Sequence, residues 1–177
     1  MGIKIFFLEN DEEMRYIIEN QRENGHQIYH AKNLQNAAAL LEMNPGVDYF
    51  DLFIFDLGLR AEKVRHIGKK GKVTYDHPKE LNGLLFLLNN LDILGDKTKE
   101  IALVSAYRRQ ITEVNEVTID GKNFKRVPSK AQQSEDSEKL ERVCYIEESS
   151  GKKYDITFLD KGDNDIALLI KKFIHRR

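Results

Sequence analysis

The sequence predicts an α/β fold built on a doubly wound parallel sheet, and three observations carry that prediction. Short apolar runs alternate with segments of helical periodicity through the first hundred residues and again at the end of the chain. Two of the runs, Ile3–Leu8 and Leu52–Phe55, are apolar on both strand faces, as strands buried under helices on either side must be. Each strand-to-strand connection is long enough for a crossover, so neighbouring strands run parallel.

The elements follow in order. Ile3–Leu8 is the first strand, with Lys4 its only charge. Asp11, Glu12 and Glu13 are expected in the first turn of a helix, where the dipole favours acids, with Met14, Ile17 and Ile18 on its apolar face and Gly25 closing it. Gln27–His30 is a short strand, and Asn33 caps a helix carrying Leu34, Ala37, Ala38 and Leu41 on one side. Asn44-Pro45-Gly46 stops that helix, and Leu52–Phe55 forms the next strand, ending at Asp56. Pro78 is placed at a helix start, followed by the Leu81, Leu84, Leu85 and Leu88 stripe. Ile101–Val104 ends at Ser105. Ile156–Leu159 leads through Lys161 into a last helix, capped by Asp163, with Ile166, Leu169, Ile170, Phe173 and Ile174 on its inner face. Five strands of this kind make a flavodoxin-like sheet of order 2-1-3-4-5.

One domain over residues 1–177 is expected, with insertions at about 60–79 and 108–153. Both exceed the roughly 2 to 6 residues usual between a strand and its helix. The first is basic, with Arg60, Lys63, Arg65, His66, Lys69, Lys70 and Lys72, and reads as a solvated loop. In the second, Val117–Ile119, Asp120-Gly121 and Asn123–Lys125 form a hairpin on an Asp-Gly turn. The polar stretch Ser129–Glu138 is expected to be a mobile linker and Arg142–Ile146 a strand before the Ser149-Ser150-Gly151 turn, which together read as a β-rich flap.

Composition narrows the function classes. A formal net charge of −1 gives no long-range pull toward nucleic acid or an anionic membrane. A mean hydropathy of −0.54 and the lack of any long apolar run argue against a membrane protein. The single Cys144 and the lack of a signal-peptide pattern place the chain in the cytoplasm as an expectation, and the five histidines have no zinc spacing.

In an open parallel sheet, ligands bind beyond the carboxyl ends of the strands. The residues there are Glu9, Asn10 and Asp11, then Asp56, Ser105 and Lys161. Acids from two strands suit a hard cation such as Mg²⁺, and a hydroxyl and an ammonium complete a phosphate site. The side chain of Asp11 is expected to point away.

The runs Ile5–Arg15, Asp51–Leu57, Leu103–Ala106 and Phe158–Lys161 resemble the receiver domains of two-component response regulators. That resemblance implies that Glu9 and Asn10 occupy the acidic-pair positions and, with Asp56, hold Mg²⁺. It further implies that Asp56 is the phosphoacceptor, Ser105 the hydroxyl switch, Phe158 the rotating aromatic and Lys161 the phosphate-contacting lysine. Two departures stand out. Asn10 replaces an acid and would bind Mg²⁺ less strongly, and Gly162 replaces the proline usual after the lysine.

The resemblance implies a phosphorelay component accepting a phosphoryl group from a histidine kinase or phosphotransfer protein and signalling through a downstream protein target. By the same resemblance it is expected to be a regulatory domain rather than a turnover enzyme. No DNA-binding output module and no membrane contact are expected, and a homodimer is compatible with the sequence. The alternative is a phosphorylation-impaired pseudo-receiver serving as an interaction module, favoured by Asn10 and the insertions. A metal-dependent phosphoester hydrolase ranks third, because the sequence offers no base or second nucleophile for it.

Overall fold

The computed structural model describes residues 2–12, 14–42, 46–94, 100–106, 114–127, 141–161 and 163–175. The expected parallel strands are β1 (Lys4–Leu8), β2 (Gln27–Ala31), β3 (Leu52–Asp56), β6 (Glu100–Ser105) and β10 (Lys153–Asp160). They lie in the order β2-β1-β3-β6-β10, each pair parallel, which is the predicted winding.

The sheet does not stop at five strands. β7 (Glu116–Ile119), β8 (Lys122–Val127) and β9 (Glu141–Glu147) continue it as an antiparallel extension, making eight strands in order β2-β1-β3-β6-β10-β9-β8-β7. The expected flap is thus part of the main sheet, because β9 pairs along most of β10, from Lys153↔Ile146 to Phe158↔Glu141. Its hairpin forms as predicted. Asp120 and Gly121 both take positive φ, 50° and 75°, as the tight turn requires. The linker at Ser129–Glu138 lies outside the described residues.

The first insertion is a correction as well. It is not a loop but a two-stranded antiparallel sheet, β4 (Glu62–Arg65) and β5 (Lys72–Tyr75), with Val64 and Val73 in register. Val64, Val73 and Tyr75 are buried while Lys63, Arg65, Lys72 and Thr74 face out, the period-two alternation of a half-buried ribbon. The charges masked three apolar anchors. Glu62 also accepts the Leu34 N–H at 3.0 Å, tying this ribbon to the start of α2 (Leu34–Glu42).

Strand residues alternate between two cores. Phe6, Leu8, Phe53, Phe55, Leu103 and Phe158 face one side with α2 and α3 (Asn82–Asn89). Ile5, Phe7, Leu52, Ile54, Val104 and Leu159 face the other, packed on α1 (Met14–Glu23) and α5 (Asp163–His175). Asn33 caps α2 as expected, its Oδ1 accepting the Asn36 N–H at 2.7 Å, and Leu34, Ala37, Ala38 and Leu41 are all buried. The ends of that helix at Asn44-Pro45, the Ile18 side chain and the capping side chain of Asp163 lie outside the described residues.

Two helix starts differ from expectation. α1 begins at Met14, so Asp11 and Glu12 precede it rather than filling its first turn. The Asp11 N–H instead donates to Glu9 Oε1 at 2.9 Å, which holds that loop against the end of β1. α3 begins at Asn82, four residues after Pro78. Asn82 fixes the boundary by accepting the His77 N–H (2.7 Å) and donating to the Leu59 carbonyl (2.7 Å). Every residue of α3 is buried, since β5 and β7 contact it as well as β3. That explains its unbroken Leu84–Leu88 apolar run, where a helix exposed on one face shows a stripe.

A candidate phosphoacceptor pocket

The sheet brings together four groups that are distant in sequence. Lys161 Nζ lies 3.0 Å from Glu9 Oε1 and 3.4 Å from Asp56 Oδ1. Ser105 is buried beside them, and its carbonyl accepts the Lys161 N–H at 3.1 Å. Parallel register accounts for this convergence. Leu8 pairs with Phe55, Asp56 with Val104, and Ser105 with Asp160, so all four strands end along one rim. Above that rim is an open cavity of about 290 Å³ lined by Asn10, Asp11, Asp56, Gly58, Lys79, Glu80, Ser105, Ala106 and Lys161.

Asp11 is a correction: its carboxylate lines the cavity and comes within 4.0 Å of Lys161, so it belongs to the site. Asn10 also lines the cavity, from an exposed position. Phe158 does not reach it. That ring is buried in the core shared with α3 and the extension, three residues before the lysine.

Sequence reasoning missed three supports. The Gly58 N–H donates to the Asp56 carboxylate. Gly83 packs so closely that a Cβ there would stand 1.7 Å from the Asp56 carbonyl oxygen, and its N–H donates to Leu57 O at 3.2 Å. A glycine inside an apolar helix was the available signal for such close backbone approach. Lys79 and Glu80 reach the cavity from the end of the first insertion, which no local pattern announces.

The electrostatics follow from two buried acids facing one half-buried cation. Glu9 is raised from 4.5 to about 7, first by burial and then by the Asp56 carboxylate, against the opposing Asp11 N–H and Lys161. Burial also raises Asp56, against Lys161 and the Gly58 N–H. Desolvation alone would lower Lys161, but the combined fields of Asp56 and Glu9 outweigh it and hold its pKa above the ordinary value. Among the described residues no donor reaches Glu9 Oε2, which is buried. A buried carboxylate oxygen without a donor is costly, and a cation at that oxygen removes the cost.

No cluster of three or more His, Cys, Asp or Glu among the described residues has metal-holding geometry. The donor set nevertheless suits Mg²⁺, which is commonly held by one or two carboxylates and keeps several waters. Glu9, Asp56 and the Asn10 side-chain oxygen are the groups near this rim that could hold it.

No family model and no curated protein matches the sequence. Solved structures do match. The receiver domain of the Francisella response regulator 1452 superposes with a TM-score of 0.50 at 14% identity, over 99% of this chain and 98% of that one. A signal receiver domain from Vibrio parahaemolyticus gives 0.46 at 12% identity, over 99% and 92%. The CheY-like receiver from Methanospirillum hungatei JF-1 gives 0.40 at 15%, over 60% and 66%. The first of these defines the fold. This chain has the fold of response-regulator receiver domains, in an atypical form whose parallel sheet carries an antiparallel extension. No helix among the described residues is long and apolar enough to cross a membrane.

Proposed function

We propose that the chain is a cytoplasmic receiver that takes a phosphoryl group on Asp56 from the phosphohistidine of a histidine kinase or phosphotransfer protein, and signals through contacts with a downstream protein. The observation that carries this reading is the contact of one lysine with two buried carboxylates at the mouth of an open cavity. In the transfer, an Asp56 oxygen attacks phosphorus and the P–N bond breaks. Its electron pair leaves with the imidazole, which takes a proton from water, and an acyl phosphate remains on Asp56. Lys161 neutralises charge on the phosphoryl oxygens. Mg²⁺, held by Glu9, Asp56 and Asn10, would lower the repulsion between carboxylate and phosphoryl group. The Ser105 hydroxyl would bond a phosphoryl oxygen once the group is attached, and Phe158 would answer that movement from the core.

The pseudo-receiver reading has its own support. β9 runs along β10 beside Phe158, so the aromatic has an ordered strand where an edge would leave room to move. Incubating the protein with Mg²⁺ and a small acyl phosphate separates the two readings. Phosphotransfer predicts a mass gain of one phosphoryl group on the peptide holding Asp56, absent in Asp56→Asn. An unmodified Asp56 at millimolar Mg²⁺ leaves the interaction module.

A further inference from the structure

The residue two places after Asp56 is Gly58, whose position leaves 3.9 Å between a would-be Cβ and Asp56 Oδ2. No side chain overhangs the acid from there. The cavity is bordered instead by Lys79 and Glu80, which arrive from the end of the inserted ribbon.

The loop that delivers them is tied down. Asn82 binds the His77 N–H on one side and the Leu59 carbonyl, three residues beyond Asp56, on the other. His77 accepts the Lys79 N–H through Nδ1 at 3.1 Å, and its carbonyl accepts the Glu80 N–H at 2.8 Å. Glu80 itself has φ 54°, a conformation that costs a non-glycine residue energy and is kept only where its surroundings enforce it. The turn therefore fixes the Lys79 backbone at the lip of the pocket, from which its exposed side chain can reach inward.

The charges around the cavity give that position a use. Glu9, Asp11, Asp56 and Glu80 bring carboxylates, and Lys161 is already engaged by Glu9 and Asp56. Phosphorylation replaces the single carboxylate charge of Asp56 with the roughly two charges of an acyl phosphate, a net gain of about one, and sets them out in the cavity. With Asn10 in place of an acid, the metal contributes less firmly to neutralising them. Building on the phosphoacceptor reading, we infer that Lys79 is a second phosphoryl-binding residue, so that the group on Asp56 is held between Lys161 at the floor and Lys79 at the lip.

Calorimetric titration with beryllofluoride in the presence of Mg²⁺ tests this. Lys79→Ala is expected to weaken binding roughly tenfold, as loss of a charge-assisted bond does, while Lys79→Arg stays close to the unmodified protein. Lys63→Ala, on the outward face of the ribbon, removes the same charge away from the pocket and is expected to change nothing. Equal affinity for Lys79→Ala and the unmodified protein, with binding lost in Asp56→Asn, overturns the role of Lys79 and leaves the phosphoacceptor standing. Equal losses in Lys79→Ala and Lys63→Ala also overturn it, since net charge alone would then explain both. If the unmodified protein binds no beryllofluoride, the phosphoacceptor reading falls and the inference falls with it.

Discussion

The parallel strands β2-β1-β3-β6-β10 and the antiparallel strands β9-β8-β7 share one sheet but are built by different rules. β3 is buried at every residue and β1 and β6 at all but the first, because helices cover both of their faces. β7 alternates exposed and buried, and its Val117 and Ile119 join only the core on the α3 side. The doubly covered region presents its strand ends as a rim of chemistry, while the singly covered region extends the sheet and brings β7 against α3. Fold-defining contact and functional geometry therefore concentrate in the first, and tolerance to change in the second.

Glycines in the two regions test that contrast most strongly. Gly83→Ala forces a Cβ against the Asp56 carbonyl and should cost about 3 kcal/mol in chemical denaturation, at the top of the usual range for overpacking. Gly121→Ala, in the hairpin turn at φ 75° with nothing within 4 Å, meets only backbone strain and should cost about 1 kcal/mol. Similar costs at both sites would break the contrast.

The pocket makes stability depend on pH in a direction opposite to that of ordinary salt-bridged acids. Glu9 holds its proton up to about 7 in the folded chain against 4.5 for the ordinary group. Between those values the unfolded chain binds fewer protons than the folded one, so stability is full below 4.5, falls as pH rises to about 7, and is level above. The loss is on the order of 3 kcal/mol if Glu9 titrates alone, and smaller because Asp56 shares the proton. Thermal unfolding across this range should show the decline, and Glu9→Gln should reduce it to the part that Asp56, also raised by burial, contributes. A midpoint that rises over the same window contradicts the account.

The smallest effect belongs to the extension. Tyr145 on β9 is fully buried, its hydroxyl has no partner among the described residues, and burial pushes its pKa up to about 12. Tyr145→Phe removes an unsatisfied group at nearly constant shape and should raise stability by about 1 kcal/mol. A destabilised variant would mean that the hydroxyl has a partner.

The same contrast explains what could be read in advance. The parallel strands were legible because burial on both faces writes an unbroken apolar run, and their winding follows from crossover length and handedness. Glu9, Asp56, Ser105 and Lys161 were legible because a parallel sheet presents its strand ends on one rim. The alternation in Glu116–Ile119 and Lys122–Val127 announced a hairpin, but alternation says which face is buried and not which strand is the neighbour, so the pairing of β9 on β10 was hidden. Charged Lys63, Arg65 and Lys72 disguised β4 and β5 as a loop, although Val64, Val73 and Tyr75 held the two-residue period. Asp11 was misplaced because its loop is set by a backbone bond to Glu9, a tertiary contact that no local propensity encodes.

The central claim is that groups from four strand ends form one phosphoryl-binding pocket. Backbone amide resonances followed by NMR during titration with Mg²⁺ and beryllofluoride test it most directly. The account predicts that Asp11, Gly58, Ala106 and Lys161 shift together with a single affinity while Thr118 and Asn123 in the hairpin stay still. Shifts that titrate separately, or that appear in the hairpin and not around Asp56, would contradict it.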